Sequence, residues 1–166
     1  MVERLALLDI MPTDHVYANV DRALATACFH WFFLLLPEPL PEQMLAASAV
    51  PFLHLFLGAF GDGLGAYAPA ALADYERCFS DPATIHGMCE DYRAAASIDL
   101  VHDAQDRDQP VTCPTLVLWG SSSVVGTLYD PIAVWSTYAT DVRGQAIDAG
   151  HFLAEERPDE TLAALR

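Results

Sequence analysis

The chain has 166 residues, the length of one ordinary domain that can bury its own core. Hydrophobic residues make up 53% of it and charged residues 19%, which excludes an intrinsically disordered chain. Its 23 acidic residues outweigh 8 basic ones, all arginine, for a net charge of −15, and this balance argues against binding nucleic acid or anionic membranes.

The cysteines have no spacing typical of a redox motif or a zinc site. They are Cys28, Cys78, Cys89 and Cys113. We therefore expect free thiols in a reducing cytoplasm, with no metal and no cofactor. The N-terminal MVERLALLDIM has too short an apolar run for a signal peptide, and the longest apolar run, ACFHWFFLLLP, is too short to span a bilayer. The sequence thus predicts a soluble cytoplasmic protein.

The first predicted element is a strand. RLALLD, residues 4–9, is continuously apolar at its centre, which is typical of a strand buried in a parallel sheet. A helix is expected to follow from about residue 15 towards residue 36, with Thr13 or Asp14 as its N-cap. The three prolines of PEPLPE, residues 37–42, are expected to end this helix because proline cannot continue it.

The next segment, residues 41–106, is alanine-rich and predicts further helices. Glycine and proline interrupt the pattern at GDGLGAYAP, residues 61–69. A long helix is expected to begin at Pro82, with Ser80 or Asp81 as its N-cap, because proline fits the first helical turn. The whole segment therefore predicts a helical insertion behind the first strand.

The last third alternates between strands and helices. The predicted strands are PTLVLWG and RGQAIDAG, and the predicted helices are DPIAVWSTYA and RPDETLAALR. This alternation favours an α/β fold with three parallel strands, flanking helices and a helical cap inserted after the first strand. The predicted division is a first core strand and loop (1–14), a helical cap (15–110) and an incomplete C-terminal α/β core (111–166).

This order of elements resembles the C-terminal half of an α/β-hydrolase, and more closely the fluoroacetate (haloacetate) dehalogenases. The stretches that carry the resemblance are RLALLDIMPT, HWFFLLLPEPLPE, MCEDYRAAA, TLVLWGSS and GHFLAEERPDET. They extend over nearly the whole chain. The resemblance implies hydrolytic dehalogenation of haloacetates, such as fluoroacetate to glycolate, through an aspartyl-ester intermediate.

The resemblance also implies catalytic roles for two residues. His151 in GHF matches the general base that activates water for hydrolysis of the ester. Asp9, at the end of the first strand, matches the acid that orients this histidine. Many α/β-hydrolases place the acid after the next strand, but here that loop reads WGSSSVVGTLYD and begins with three serines. We therefore expect Asp9 to pair with His151.

The resemblance further implies a halide pocket in the cap. His30, Trp31 and Tyr92 match residues that donate an N–H or O–H to the departing halide. The nucleophilic aspartate and the arginines that bind the substrate carboxylate have no counterpart in the chain. No motif assigns the carboxylate site to Arg93 or Arg143. We therefore expect the isolated chain to be inactive.

Other interpretations of the same residues remain open. His151 suits a loop that caps a helix, Asp9 suits a turn, and the aromatic run FHWFFLLL is more often core than site. An epoxide hydrolase would share the fold, the acid–base pair and a cap tyrosine. A non-catalytic acidic protein would use the open edge of the first strand for binding or oligomerisation. The expected partners are a small haloacid and either a second copy of the chain or a complementing N-terminal half.

Overall fold

The computed structural model describes residues 2–166 and centres on a three-stranded parallel sheet. The strands are β1 (Leu5–Leu8), β2 (Thr115–Gly120) and β3 (Val142–Ile147), in the order β1-β2-β3. In the register of the sheet, Thr115 pairs with both Leu5 and Val142. The three predicted strands and their parallel arrangement are therefore confirmed.

The central strand is far more buried than its two neighbours. Val117 and Leu118 of β2 are 0% exposed, because the flanking strands and helices cover both faces of this apolar run. On β1, by contrast, Leu8 is 37% exposed. Since β1 lies at one end of the strand order, its outer edge pairs with no other strand among residues 2–166.

Helices make up the part of the chain that connects β1 to β2 in sequence, and further helices follow β2. Between β1 and β2 they are α1 (Thr13–Ala18), α2 (Arg22–Ala27), α3 (Phe29–Phe33), α4 (Leu40–Ala46), α5 (Ala49–Phe60), α6 (Pro69–Phe79), α7 (Pro82–Ala95) and α8 (Ile98–Asp106). After β2 they are α9 (Val124–Leu128), α10 (Pro131–Trp135), α11 (Leu153–Glu156) and α12 (Pro158–Leu165). The predicted helical insertion is therefore confirmed.

The single helix expected over residues 15–36 is wrong, because the segment forms three short helices. The side chain of Asp21 accepts a hydrogen bond from Leu24 N and so begins α2 separately from α1. At Cys28 the backbone leaves helical geometry, with φ −110° and ψ 41°, and α3 begins at the next residue. Local capping and a non-helical residue therefore override the helical pattern of the sequence.

The expected N-cap of the first helix is also wrong. The helix begins at Thr13, and Pro12 in the cap position makes no side-chain capping bond. Asp14 instead accepts a hydrogen bond from the Tyr138 hydroxyl at 2.7 Å, so its carboxylate is used in a long-range contact. The predicted boundary after residue 14 lies inside α1, and the division of the chain into three parts stays a prediction.

The long helix expected to begin at Pro82 is confirmed as α7, which has 14 residues. The side chain of Asp81 caps α7 by accepting from Ala83 N, with Pro82 in the first turn. The helix ends at Ala95, and α8 begins at Ile98 after a short break.

Two further findings bear on the general expectations. All four cysteines are free thiols. Over residues 2–166 no single helix is long and apolar enough to cross a membrane, although α4 and α5 together, bent by 94°, reach that length and apolarity.

Candidate active site

Asp9 lies in a tight turn directly after β1 and is almost completely buried, at 2% exposure. Its φ of 49° is in the left-handed region, which aspartate tolerates better than most residues. Its Oδ1 accepts hydrogen bonds from Gly120 N at 2.8 Å and from Ser123 Oγ at 2.6 Å. These two donors come from the end of β2 and the start of α9, so the core of the fold fixes the orientation of the carboxylate.

The second oxygen of Asp9 contacts His151, as the sequence predicts. His151 Nδ1 lies 2.6 Å from Asp9 Oδ2 across 142 residues of sequence. An ionised carboxylate only accepts hydrogen bonds, so Nδ1 is the donor, and in the neutral imidazole this tautomer leaves the lone pair on Nε2. The His151 side chain is 42% exposed, so solvent can reach it. The pair has the geometry of a general base with its orienting acid.

A small cavity of about 150 Å³ lies between this pair and the cap. His30, Trp31 and Tyr92, the three predicted halide-binding residues, line it together with Asp9 and His151. Their rings pack edge to face, with Tyr92 5.9 Å from His30 and 6.2 Å from Trp31 between ring centroids. The structure thus brings all five predicted residues to one cavity, and their individual roles stay predictions.

His30 is the most unusual of the cap residues because it is buried, at 4% exposure, without a partner for one ring nitrogen. Its Nδ1 makes no hydrogen bond with any residue in the described range. Burial, with a smaller contribution from the nearby His151, lowers the pKa of His30 to about 4. The imidazole is therefore neutral at neutral pH and offers one N–H to a ligand.

Tyr92 and Cys28 are also held in their neutral forms. Burial raises the pKa of Tyr92 to about 12, so its phenol stays protonated and can donate a hydrogen bond. Burial, followed by the negative charge of Asp9, raises the pKa of the Cys28 thiol, which also lines the cavity. A protonated thiol is a weak nucleophile, so the geometry gives Cys28 no catalytic role.

Sequence reasoning missed two residues that shape the site. Ser123 is the N-cap of α9, where its Oγ accepts from Gly126 N at 3.1 Å while donating to Asp9. Phe60, at the end of α5, lines the cavity, and its ring centroid lies 5.2 Å from that of His30 and 6.4 Å from that of His151. Serine is a favoured N-cap residue, but nothing in the sequence indicates that Ser123 also donates to Asp9.

Neither arginine considered for substrate binding lines the cavity. Arg93 pairs with Glu42 at 2.7 Å and Glu90 at 2.6 Å, and also donates to the Leu36 carbonyl. Arg143 borders a separate cleft of about 430 Å³ at the amino ends of the strands. This cleft is larger than the cavity at His151 but holds no histidine, so we place the chemistry at the smaller one.

The cavity also lacks a free carboxylate for nucleophilic attack within the described range. Asp9 is the acidic residue that lines it, and hydrogen bonds engage both of its oxygens. A nucleophile with the chemistry of the dehalogenases would therefore have to come from residues other than those that line the cavity here.

One cluster, carried by α4 and α7, has the composition of a metal site. Ligand atoms of Glu42, His86 and Glu90 lie within 4.8 Å of one another. The guanidinium of Arg93 already pairs with both carboxylates, and this charge would oppose a cation. We therefore interpret the cluster as an ion-pair network.

The architecture is that of the α/β hydrolases, and the chain has the fold of their C-terminal part. A solved protein of Nostoc sp PCC 7120, assigned to the α/β hydrolases, superimposes with a TM-score of 0.97 at 51% identity over 99% of this chain and 56% of that one. No protein-family model matches the chain.

The chain is similar to a fluoroacetate dehalogenase of Burkholderia sp, with 38% identity over 98% of this chain and 54% of the relative. It is also similar to a solved protein of Pseudomonas aeruginosa assigned as an epoxide hydrolase, with a TM-score of 0.92 at 38% identity over 99% of this chain and 55% of that one. A mutant form of that protein was solved with bound MFA. The chain thus spans about half the length of these relatives.

Proposed function

We propose that this chain carries part of the active site of a haloacetate dehalogenase, which hydrolyses fluoroacetate to glycolate and fluoride through an aspartyl ester. The observation that carries the proposal is the cavity, where the Asp9–His151 pair faces three potential donors from the cap. The similarity to a fluoroacetate dehalogenase supports the same reaction. A volume of about 150 Å³ suits a substrate of a few heavy atoms, well below the size of typical ligand pockets.

In the first step, a carboxylate oxygen attacks the carbon that bears the halogen. A carbon–oxygen bond forms, the carbon–halogen bond breaks, and the halide leaves with the bonding electrons. His30, Trp31 and Tyr92 line the cavity, and each carries an N–H or O–H that could replace part of the hydration shell of the departing anion. Tyr92 is neutral and keeps its phenol proton, and neutral His30 keeps one N–H, so both can donate a hydrogen bond.

In the second step, His151 acts as the general base. Its Nε2 accepts a proton from water as the water oxygen attacks the ester carbonyl, and Asp9 stabilises the imidazolium that forms. The ester carbon–oxygen bond then breaks, and His151 passes its proton to the alkoxide oxygen of glycolate. The carboxylic acid that this leaves loses its remaining proton to solvent, which regenerates the carboxylate nucleophile.

The nucleophile and the groups that bind the substrate carboxylate come, in this proposal, from an N-terminal half of the hydrolase fold. The outer edge of β1 offers this half an unpaired strand, and the same edge would serve pairing with a second copy of the chain. We propose that the 166-residue chain alone does not turn over haloacetates. The free thiols and the net charge support a cytoplasmic protein that binds neither nucleic acid nor membranes.

The test is to fuse the chain behind the N-terminal part of the Burkholderia relative and to measure fluoride release from fluoroacetate with an ion-selective electrode. We expect multiple turnovers from the fusion and none from the chain alone. In the fusion, His151→Ala should release one equivalent of fluoride and leave a mass adduct of the ester. His102→Ala, an exposed histidine on α8, is the matched control and should keep full turnover. Full multiple turnover by His151→Ala would refute the assigned role.

An epoxide hydrolase is the second candidate. Tyr92 lines the cavity as a protonated phenol, which could donate to the oxygen of an opening epoxide ring. The similarity to the Pseudomonas aeruginosa protein assigned as an epoxide hydrolase favours the same alternative. Offering the fusion fluoroacetate and a small epoxide in parallel separates the two, because only one reaction should reach multiple turnover.

A further inference from the structure

Three consecutive backbone amides at His151 each have a defined hydrogen-bond partner. Gly150 N donates to Glu156 Oε2 at 2.6 Å, and Phe152 N donates to Glu156 Oε1 at 3.0 Å. Between them, His151 N donates to the carbonyl oxygen of Phe60 at 2.7 Å. A single carboxylate therefore holds the loop on both sides of the histidine, and the cap holds it in the middle.

Glu156 is itself buried, at 8% exposure, in closely packed surroundings. A Cβ added at Gly61 would lie 2.7 Å from Glu156 Oε1, so the cap loop presses directly against the carboxylate. The adjacent Arg157 pairs with Asp62 at 3.0 Å rather than with this side chain. Burying a carboxylate is costly unless it is paired or hydrogen-bonded, and here the compensation comes from main-chain N–H groups of the histidine loop.

Helix capping explains only part of this arrangement. Phe152 is the N-cap residue of α11, so a bond to its N–H helps to close the start of that short helix. Gly150 lies two residues earlier, outside the helix, and its N–H has no part in helix formation. The second hydrogen bond of Glu156 therefore acts on the loop that carries His151.

We propose that Glu156 is a positioning residue for His151. By holding Gly150 N and Phe152 N, it fixes the backbone from which the imidazole reaches Asp9 at 2.6 Å and leaves Nε2 for the cavity. The inference rests on the proposed function in taking His151 as the general base. The hydrogen-bond geometry that it explains is present in the chain whatever the substrate.

The test uses NMR on the 166-residue chain, so its outcome does not depend on turnover. In Glu156→Gln, the amide oxygen can accept only one of the two N–H groups well, and its own NH₂ faces the other. We expect hydrogen exchange at Gly150 or Phe152 to accelerate by about tenfold or more, because a hydrogen bond to a charged group is lost. We also expect the His151 Nδ1 proton signal to shift or broaden as the bond to Asp9 loosens.

Glu155→Gln is the matched control. It makes the same change of charge one residue away, where the carboxylate accepts from the Tyr75 hydroxyl on the surface. It should leave the His151 signal and the exchange at both amides within about twofold of the unmodified chain. The proposal would be overturned if Glu156→Gln lowered the melting temperature but left the His151 Nδ1 proton signal unchanged. That result would indicate a purely structural role for Glu156.

Gly61→Ala decides the question if Glu156→Gln does not fold. It keeps the carboxylate but places a methyl group 2.7 Å from Oε1, and we expect the same two NMR changes at a smaller amplitude. Unchanged signals in a folded Gly61→Ala would count against the proposal. In the active fusion, Glu156→Gln should lower kcat with KM nearly unchanged. A fusion without dehalogenase activity would overturn the proposed function and leave the NMR result standing.

Discussion

The two walls of the cavity are built in opposite ways. On the core wall, each oxygen of Asp9 is hydrogen-bonded, and the backbone amides around His151 all have partners. On the cap wall, aromatic rings pack edge to face, and His30 Nδ1 has no partner among the residues in the described range. The core wall is preorganised, whereas the cap wall holds a buried polar atom that a ligand could satisfy.

This difference assigns the two walls different tasks. A general base must hold one geometry before substrate arrives, and the hydrogen bonds of the core wall provide it. A buried polar atom without a partner costs about 1–3 kcal/mol, a cost that a bound anion can remove. The cap wall therefore lowers the stability of the free protein and raises its affinity for an anion. Three experiments test this contrast.

The largest effect is expected from Gly120→Ala, which disrupts the core wall. A Cβ at Gly120 would lie 1.9 Å from the carbonyl oxygen of Gly150 and 2.5 Å from that of Ala149. Backbone atoms cannot yield as flexible side chains do, so the His151 loop must move away from β2. We expect a loss of more than about 3 kcal/mol in the free energy of unfolding, measured by urea denaturation.

Gly87→Ala is the control for this experiment. Gly87 lies inside α7, and a Cβ there would meet no atom within 4 Å. Alanine should therefore stabilise the protein by about 0.5–1 kcal/mol, because it favours the helix over the unfolded chain. Equal losses of unfolding free energy in the two variants would contradict the prediction that the close approach of β2 to the His151 loop requires glycine at position 120.

An intermediate effect is expected from acidification, which acts on the cap wall through His30. Its pKa is lowered to about 4 in the folded protein, whereas an exposed histidine titrates near about 6.5. As the pH falls from about 6.5 towards 4, the unfolded chain takes up a proton that the folded protein does not. The free energy of unfolding should therefore decrease over this window. We expect a decrease of roughly 2 kcal/mol, which is less than the full pKa shift would give, because the His30 side chain borders a cavity.

The measurement compares urea denaturation at several pH values in the unmodified chain and in His30→Phe. Phenylalanine keeps a ring among Phe56, Phe60 and Tyr92 but removes the group that titrates. The difference between the two proteins isolates His30 from the carboxylates, which titrate in both. His54→Gln, which removes a half-exposed histidine of α5, is the control. A pH dependence that persists unchanged in His30→Phe would contradict the prediction.

The smallest effect is expected from Tyr92→Phe, which removes a single donor from the cap wall. Bromide binding, followed by tryptophan fluorescence, should weaken by about tenfold, because a hydrogen bond to an anion contributes about 1.5 kcal/mol or more. The free energy of unfolding should change by less than about 1 kcal/mol. Tyr75→Phe, at a surface hydroxyl bonded to Glu155, should leave bromide affinity unchanged. If Tyr92→Phe binds bromide as the unmodified chain does, Tyr92 has no part in a halide site.

The sequence predicted β1 and β2 because each combines an apolar run with a glycine or polar boundary, and it predicted β3, which has no such run, from the alternation of strands and helices. The first helix after β1 could not be predicted in the same way. Residues 15–36 have a continuous helical pattern, yet the capping carboxylate of Asp21 and the non-helical backbone of Cys28 divide them. Such breaks depend on competition between local hydrogen bonds and packing, which periodicity does not report.

In the candidate site, too, some residues could be predicted from the sequence and others could not. The residue types and their order indicate an acid at Asp9, a base at His151 and donors in the cap, and the structure brings all five residues to one cavity. The contributions of Ser123, Phe60 and Glu156 follow only from tertiary contacts. Apolar periodicity and turn residues act over a few neighbours, so the linear chain determines its elements. A hydrogen bond between residues more than 100 positions apart exists only once the fold has brought them together.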